Sequence, residues 1–416
     1  MEEKKICLVC GNEMILQQPP GWCMEREWVC EYCKENKKKE KEKKMKDNSF
    51  YGFREKGIGK KFQSFALEIV AGCQLRCGNC YRDFHEKTDP MPSDFISRMI
   101  AEAKSEGFAE LVFIGGEPTL HPNLAKHSEE ALETNLSPIL CTNGIRLANK
   151  KYCERIVLDG STVVIHGMLP VPGKIMNKHV KVDGYQEKLH SAYKNLEELR
   201  TRRNFTIVAE AVAIKPFLPY LLDFHKFCRN NGYVPFVELN RRGNSGFANE
   251  LSASPEELKN LFIQLQEWDK DNAPEKADSL LTPPAYGNKC TMSITGLHVK
   301  NFGNGNYGEV YSCCAQTICH GDLREKCLGE IIADPTMQVY KNQDEWISGP
   351  CKTCSHYPIC KGGCRGEAVL TFGCPRASCP VCWHISQEIR SDTGKMMPET
   401  CNGCVLEGNS SCGPKR

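Results

Sequence analysis

The stretch Phe65-Ala-Leu-Glu-Ile-Val70-Ala-Gly72-Cys73-Gln-Leu-Arg-Cys77-Gly-Asn-Cys80-Tyr81 decides the reading of this 416-residue chain. An apolar run of strand length gives way to a C-x3-C-x2-C triplet. Working outward, short apolar runs alternate with longer amphipathic ones from residue 62 to about residue 246, the pattern of βα units around a parallel sheet. Candidate strands are 65–70, 111–114, 138–141, 162–165, 205–214 and 233–239, each β-branched or alternating in character. Between them lie helical patterns such as 93–106, where Ser93 is placed to cap the first turn, Ile96, Met99, Ile100 and Ala103 share a face, and Gly107 stops the helix. Six such units predict an α/β fold, a partial (β/α)6 TIM-like barrel over residues 62–250, with the triplet at the carboxyl end of its first strand, where active sites of such barrels gather.

Cysteine is the compositional signal: 26 residues, one in 16. Charge is nearly balanced, Lys+Arg 54 against Asp+Glu 52, so no global field recruits nucleic acid or an anionic membrane. The start, Met1-Glu-Glu-Lys-Lys-Ile-Cys7, lacks a secretion signal, and no run approaches the roughly 18 apolar residues of a membrane span. A cytoplasmic location is expected, with no membrane span and no nucleic-acid partner. In that reducing compartment, clustered thiols hold metal or do chemistry more often than they form disulfides.

Three thiolates hold three corners of a 4Fe-4S cube and leave the fourth iron open to a ligand, whereas four close it. A second motif, Gly115-Gly116-Glu117-Pro118, follows the second strand, and Thr142-Asn143-Gly144 follows the third. With these three loops in register, the sequence resembles the radical S-adenosylmethionine (radical SAM) superfamily. The resemblance implies that Cys73, Cys77 and Cys80 hold the cluster and that S-adenosyl-L-methionine docks on its open iron. It further implies that Glu117 accepts from the cosubstrate's ammonium, with Gly115, Gly116, Pro118, Thr142, Asn143 and Gly144 shaping the turns around it. Many relatives carry an aromatic residue just before the third cysteine, where this chain has Asn79. No catalytic acid or radical-quenching residue is assigned; Tyr81, His85, His166, Glu210, Glu238 and Arg241 all lie near strand ends.

A helix over 255–268 and a connection to residue 289 lead to a last segment, 290–416, which holds 15 of the cysteines and is poor in long periodic elements. Cys351-x2-Cys354-x5-Cys360-x3-Cys364 is followed, after 17 intervening residues, by Cys382, and upstream stands Gly308-x4-Cys313. This resembles the SPASM extension of radical SAM enzymes. The resemblance implies an outer auxiliary cluster on Cys351, Cys354, Cys360 and Cys382, and an inner one on Cys290, Cys313 and Cys364 without an evident fourth ligand. Cys374, Cys379, Cys401, Cys404 and Cys412 are surplus. Isolated Cys141, Cys153 and Cys228 are read as buried small hydrophobes. At the other end, Cys7-x2-Cys10 and Cys30-x2-Cys33, with 19 residues between them, suit one tetrahedral ion, zinc or mononuclear iron, in a module over 1–34. A Lys-rich linker over 35–61 follows, eight lysines falling against three glutamates in 34–46.

The function expected is reductive cleavage of S-adenosylmethionine to a 5'-deoxyadenosyl radical that abstracts hydrogen from an unactivated carbon. A peptide or protein substrate leads, by analogy with SPASM relatives; a lipid, tetrapyrrole or other small metabolite is the alternative, and an iron-sulfur electron carrier a third. A reductant such as ferredoxin or flavodoxin is implied.

Overall fold

A computed structural model describes residues 5–6, 13–17, 27–29, 63–82, 89–240, 250–274 and 292–397, and the chain divides into two compact units, Met1–Gly57 and Ile58–Arg416. In the first unit β1 (Lys5–Ile6), β2 (Glu13–Gln17) and β3 (Glu27–Val29) pair antiparallel in that order. Cys7, Cys10, Cys30 and Cys33 lie outside the described residues, as do Cys290, His85, Arg241 and the cysteines beyond residue 397.

In the second unit the six expected strands form with their ends within two residues of the sequence boundaries: β4 (Ser64–Val70), β5 (Glu110–Gly115), β6 (Ser137–Thr142), β7 (Thr162–His166), β8 (Thr206–Ala213) and β9 (Val234–Leu239). All neighbours among them pair parallel. The sheet is unclosed, a partial barrel, and one face is covered by helices. Phe65, Leu67, Ile69, Leu111 and Phe113 pack there with Ile96, Met99 and Ile100 of α1 (Ser93–Ser105). Val163, Ile165, Ile207, Ala209 and Ala211 pack with Leu189, Leu196 and Leu199 of the helix Tyr185–Arg200. By the two-residue alternation of strands, Glu68, His166, Glu210 and Glu238 project to the other, inner face.

Two local expectations change. Ser93 is the first helical residue, not the cap; Pro92 takes that place without a side-chain hydrogen bond, and Ser93 Oγ instead accepts from Asn123 Nδ2 at 2.9 Å. Gly107, at φ +80°, ends the helix as expected. The helix read as 255–268 runs Pro255–Asn272, started by a reciprocal cap between Ser254 and Glu257.

The larger difference lies in the last third of the chain. Among the described residues the sheet has nine strands; with β10 (Gly296–Gly303), β11 (Asn306–Tyr311) and β12 (Gly321–Asp322) added to the six, the order is β12-β11-β10-β4-β5-β6-β7-β8-β9. Strand β10 lies parallel to β4, and β11 and β12 continue antiparallel. The β10–β11 turn is Asn304-Gly305, both at positive φ (54° and 74°), a pairing that matches the twist of a hairpin. The cysteine-rich segment thus begins as an extension of the barrel sheet. Among the described residues no helix is long and apolar enough to cross a membrane.

Candidate active site

The cysteine loop leaves β4 and meets the turns after β5 and β6 at one end of the sheet. A Cβ on Gly116 would stand 2.1 Å from Gly72 O, and one on Gly115, at φ +138°, 2.5 Å from Val70 O. Glycine is required because two backbones touch, and two hydrogen bonds close the seam: Gly116 N to Val70 O and Glu117 N to Gly72 O, both 2.9 Å. The glycines therefore seat the cysteine loop itself.

Glu117 is fully buried, and its carboxylate joins the loops. Oε1 accepts from Thr119 N (3.1 Å), Thr119 Oγ1 (2.6 Å) and Thr142 Oγ1 (2.6 Å); Oε2 accepts from Asn143 N (2.8 Å). Burial pushes its pKa up against these four donors. The Asn143 amide reaches on to Cys73, Nδ2 lying 3.6 Å from Sγ, and Leu75 N lies 3.4 Å from the same sulfur. Burial, and then the Glu117 carboxylate, push the Cys73 thiol up to about 11; burial, and then Cys80 and Cys73, push Cys77 up as well. Thiols that resist ionisation beside one another become thiolates when a cation neutralises them, and this donor set of soft sulfurs suits iron-sulfur ligation. Among the described residues no three Cys, His or carboxylate groups converge as ligands of a single ion; in a cube each thiolate binds its own iron.

The far side of the cysteine loop is zipped to the helix Gly173–Val180: Arg76 N donates to Val180 O (2.9 Å) and Gly78 N to His179 O (3.1 Å). Asn79 has its Oδ1 2.7 Å from His179 Nε2, and that imidazole packs edge-on to Phe217 at 4.7 Å. Burial lowers the His179 pKa to about 4.

Sequence reasoning missed Glu68, a carboxylate only 2% exposed in the middle of β4. It receives Tyr81 Oη (3.2 Å) and Asn301 N (3.1 Å), pairs with Arg82, and lies 2.9 Å from His298 Nε2. Arg82 also donates to Ala71 O and Asn301 O. The exit of the cysteine loop is thereby tied to β10. The signal was present, a lone charge inside an apolar strand run. At the ends of β7 and β8, His166 Nε2 stands 3.2 Å from Glu210 Oε2, with the imidazole part-exposed and the carboxylate buried.

In the last third, Cys351, Cys354, Cys360 and Cys382 line one cavity of about 370 Å³, with His356 and His384 stacked 4.3 Å apart on its wall. Cys364 is not on that cavity; it caps the helix Arg365–Phe372. Burial, and then Cys382 and Cys351, raise the Cys360 thiol to about 12. Cys313 is buried and Cys314 half-buried. Cys141 on β6, Cys153 on the helix Lys150–Ile156 and Cys228 on the helix Leu221–Asn230 are all buried, as small hydrophobes would be.

Residues 67–207 match the profile of the Radical SAM superfamily. A probable GTP 3',8-cyclase of Methanococcus maripaludis is 26% identical over 248 residues, 58% of this chain and 76% of that protein. The PqqA peptide cyclase of Granulibacter bethesdensis is 22% identical over 350 residues, 80% and 91% of the two chains. Among solved structures, Streptococcus suis SuiB bound to S-adenosylmethionine shares the fold at TM-score 0.59 and 18% identity, over 84% of this chain and 81% of that one. SuiB bound to its precursor peptide SuiA does so at TM-score 0.58 and 17% identity, over 86% and 83%. With the profile running from β4 into β8, through all three converging loops, residues 67–207 carry the match to the Radical SAM superfamily, and with relatives named as cyclases the chain is an enzyme.

Proposed function

We propose that Cys73, Cys77 and Cys80 hold a 4Fe-4S cluster with one iron open to S-adenosyl-L-methionine, and that the enzyme abstracts hydrogen from an unactivated carbon of a peptide or protein. The observation that carries this reading is the buried Glu117 carboxylate, whose four hydrogen bonds lock the loops after β5 and β6 together while the Gly115-Gly116 seam holds the cysteine loop against them. When bound, the cluster supplies one electron to the sulfonium, whose cleavage gives methionine and a 5'-deoxyadenosyl radical. The protein's part is to hold, orient and shelter. Thr142 and Asn143 fix Glu117; Asn143 also fixes the Cys73 sulfur; Oε2 of Glu117, with one donor against three on Oε1, keeps capacity to accept from an ammonium. Pro118 and Gly144 shape the two turns.

A peptide is favoured by the charged and polar residues His166, Glu210 and Glu238 on the inner face, and by a relative named as a peptide cyclase that aligns over 80% of this chain. Cys351, Cys354, Cys360 and Cys382, around one cavity, are read as ligands of an outer auxiliary cluster, and Cys290, Cys313 and Cys364 as ligands of an inner one. Cys7, Cys10, Cys30 and Cys33 are assigned to a zinc or mononuclear iron ion, and ferredoxin or flavodoxin to the electron supply.

The test is anaerobic. Reconstituted protein with dithionite and S-adenosylmethionine should release 5'-deoxyadenosine, and the variant with Cys73, Cys77 and Cys80 all changed to alanine should lose both this product and one cube's iron. Unchanged iron in that variant contradicts the ligand assignment. Product formation stimulated by lipid extracts but not by peptide pools moves the substrate to the alternative class.

A further inference from the structure

The turn Ile145–Ala148 after β6 and the helix Lys150–Ile156 form an open cavity of about 420 Å³, lined by Ile145, Arg146, Asn149, Lys151, Tyr152 and Arg155. Three of these six residues are cations and none is acidic. Arg146 and Arg155 hold their guanidinium groups over the Tyr152 ring, 4.3 and 5.2 Å from its centroid, and that ring packs against the core on its other side. The neighbouring carboxylates are already matched, Glu198 with Lys150 at 2.6 Å and Glu154 with Arg202 at 2.7 Å. Among the described residues no carboxylate pairs with Arg146, Lys151 or Arg155. A chain of formal net charge +2 thus gathers three uncompensated cations around one cavity.

Two hydrogen-bonded paths lead from this cavity to the active site. Arg146 Nη1 and Tyr152 Oη (2.7 Å) both donate to Thr119 O, and Thr119 donates twice to the Glu117 carboxylate. Ile145 N donates to Asn143 Oδ1 at 3.0 Å, and Asn143 Nδ2 stands 3.6 Å from Cys73 Sγ. The cavity is therefore placed to serve the triplet. It is not placed to serve the substrate carbon, since His166, Glu210 and Glu238 of the inner face are absent from its wall. Lys151 and Arg155 are exposed and Arg146 is half-buried, so the cations do not enclose a small ligand as a metabolite site would. They present a charged face, which suits the acidic surface of another protein.

We propose that this cavity is the docking site of the electron donor, a small redox protein with an acidic surface. The inference rests on the reading of the triplet as an iron-sulfur site that takes up one electron. In each productive encounter the partner is oxidised by one electron and the site at the triplet is reduced by one, and docking itself makes and breaks no covalent bond. Fixed positive charge steers an anionic partner and speeds its arrival, an advantage that salt screens away.

The experiment compares two electron sources for the full chain, reconstituted anaerobically. One is dithionite, which needs no docking surface; the other is an acidic flavodoxin or ferredoxin, kept reduced by NADPH and its reductase. Release of 5'-deoxyadenosine from S-adenosylmethionine is followed against donor and salt concentration. The variant with Lys151→Glu and Arg155→Glu reverses two exposed charges and leaves Arg146 on Thr119. Its KM for the protein donor should rise roughly tenfold or more at low salt, with a flatter dependence on salt, while its dithionite-driven rate and urea midpoint stay at wild-type values. The paired Lys151→Gln and Arg155→Gln variant should fall between the two. The proposal is overturned if the charge-reversed variant keeps the wild-type KM and salt dependence, or if its dithionite-driven rate falls as far as its donor-driven rate. It is also overturned if wild-type protein accepts electrons from dithionite but from neither donor. If wild-type protein releases no 5'-deoxyadenosine even with dithionite, the reading of the triplet fails instead, and the two failures are told apart.

Discussion

Replacing Gly116 with alanine separates a seam made of backbone from one made of movable side chains. The new methyl carbon would stand 2.1 Å from Gly72 O, 2.4 Å from Gly72 C and 2.7 Å from Ala71 O. All three atoms belong to the backbone that leads into the cysteine triplet, so no rotamer relieves the overlap. The loops must part by roughly 1.3 Å to reach ordinary contact at 3.4 Å. That displacement breaks the hydrogen bonds from Gly116 N and Glu117 N, both 2.9 Å long. Two buried backbone hydrogen bonds at about 1 kcal/mol each, with about 1–3 kcal/mol for overpacking, give a loss of about 3–5 kcal/mol. A domain of ordinary stability survives this, but the triplet moves relative to Glu117 and Asn143. Gly107→Ala is the control, since its Cβ meets nothing within 4 Å and only the φ of +80° opposes it, for about 1–2 kcal/mol. Chemical denaturation of the two variants, with iron content and 5'-deoxyadenosine release, tests the comparison. Gly116→Ala should lose both iron at the triplet and product, and Gly107→Ala should retain both. A Gly116→Ala protein with wild-type denaturation midpoint and full iron would show that the seam is soft and the reasoning wrong.

Glu68→Gln removes the charge that buried Arg82 pairs with and should destabilise the fold by about 3–5 kcal/mol, read as a shift of the urea midpoint at constant slope; Arg82→Met in the same background should add much less than it does alone. Asp269, buried between His225 at 2.7 Å and Arg229 at 2.8 Å, anchors the helix Pro255–Asn272; Asp269→Ala should cost about 3–5 kcal/mol by the same measurement. His320 has its pKa lowered to about 4 by burial, with Lys341 adding to the effect. Its folded pKa lies below the unfolded value of about 6.5, so its contribution is present above pH 6.5 and is lost as pH falls towards 4, by at most about 3 kcal/mol. His320→Gln should flatten the acid limb of a stability–pH profile; a limb of unchanged slope would exclude His320 as its source.

The barrel was legible because six apolar runs recur with helical spacers, and that periodicity reports the burial which forms the strands. The three site loops were legible for the same reason, each following a strand. The purpose of Gly115 and Gly116 was not legible, since a glycine motif marks a close approach without saying to what; the neighbour is the backbone of residues 70–72. Strands β10 and β11 were missed although Asn304-Gly305 between alternating residues is a hairpin signal. The cysteines drew attention to ligand spacing and away from Leu297, Val299 and Val310, which pack on the helix-covered face with Phe65 and Leu67. Glu68 was passed over because one charge in a strand looks like a solvent-facing position until its neighbours are known.

Those two omissions belong together. Glu68 is buried in β4 only because β10 lies beside it: His298, on β10, pairs in register with Ala66, and Asn301 closes on both Glu68 and Arg82. The edge strand of a six-stranded sheet would leave that carboxylate near water and Arg82 without a reason to fold inward. Adding β10 converts an exposed charge pair into a buried one, whose strength rises as water leaves. Arg82 lies two residues beyond Cys80, and Lys300 on β10 donates to Gln316 O, in the turn that carries Cys313. One strand therefore positions the loop after the triplet and the turn before the auxiliary cysteines. Separating the cysteine-rich segment from the barrel should then disturb the triplet even with every barrel residue retained. A chain ending at residue 289 should bind less iron at Cys73, Cys77 and Cys80 than the full chain whose auxiliary cysteines are changed to alanine, as read by iron content. Equal loading of the two proteins would show that β10 only covers an edge.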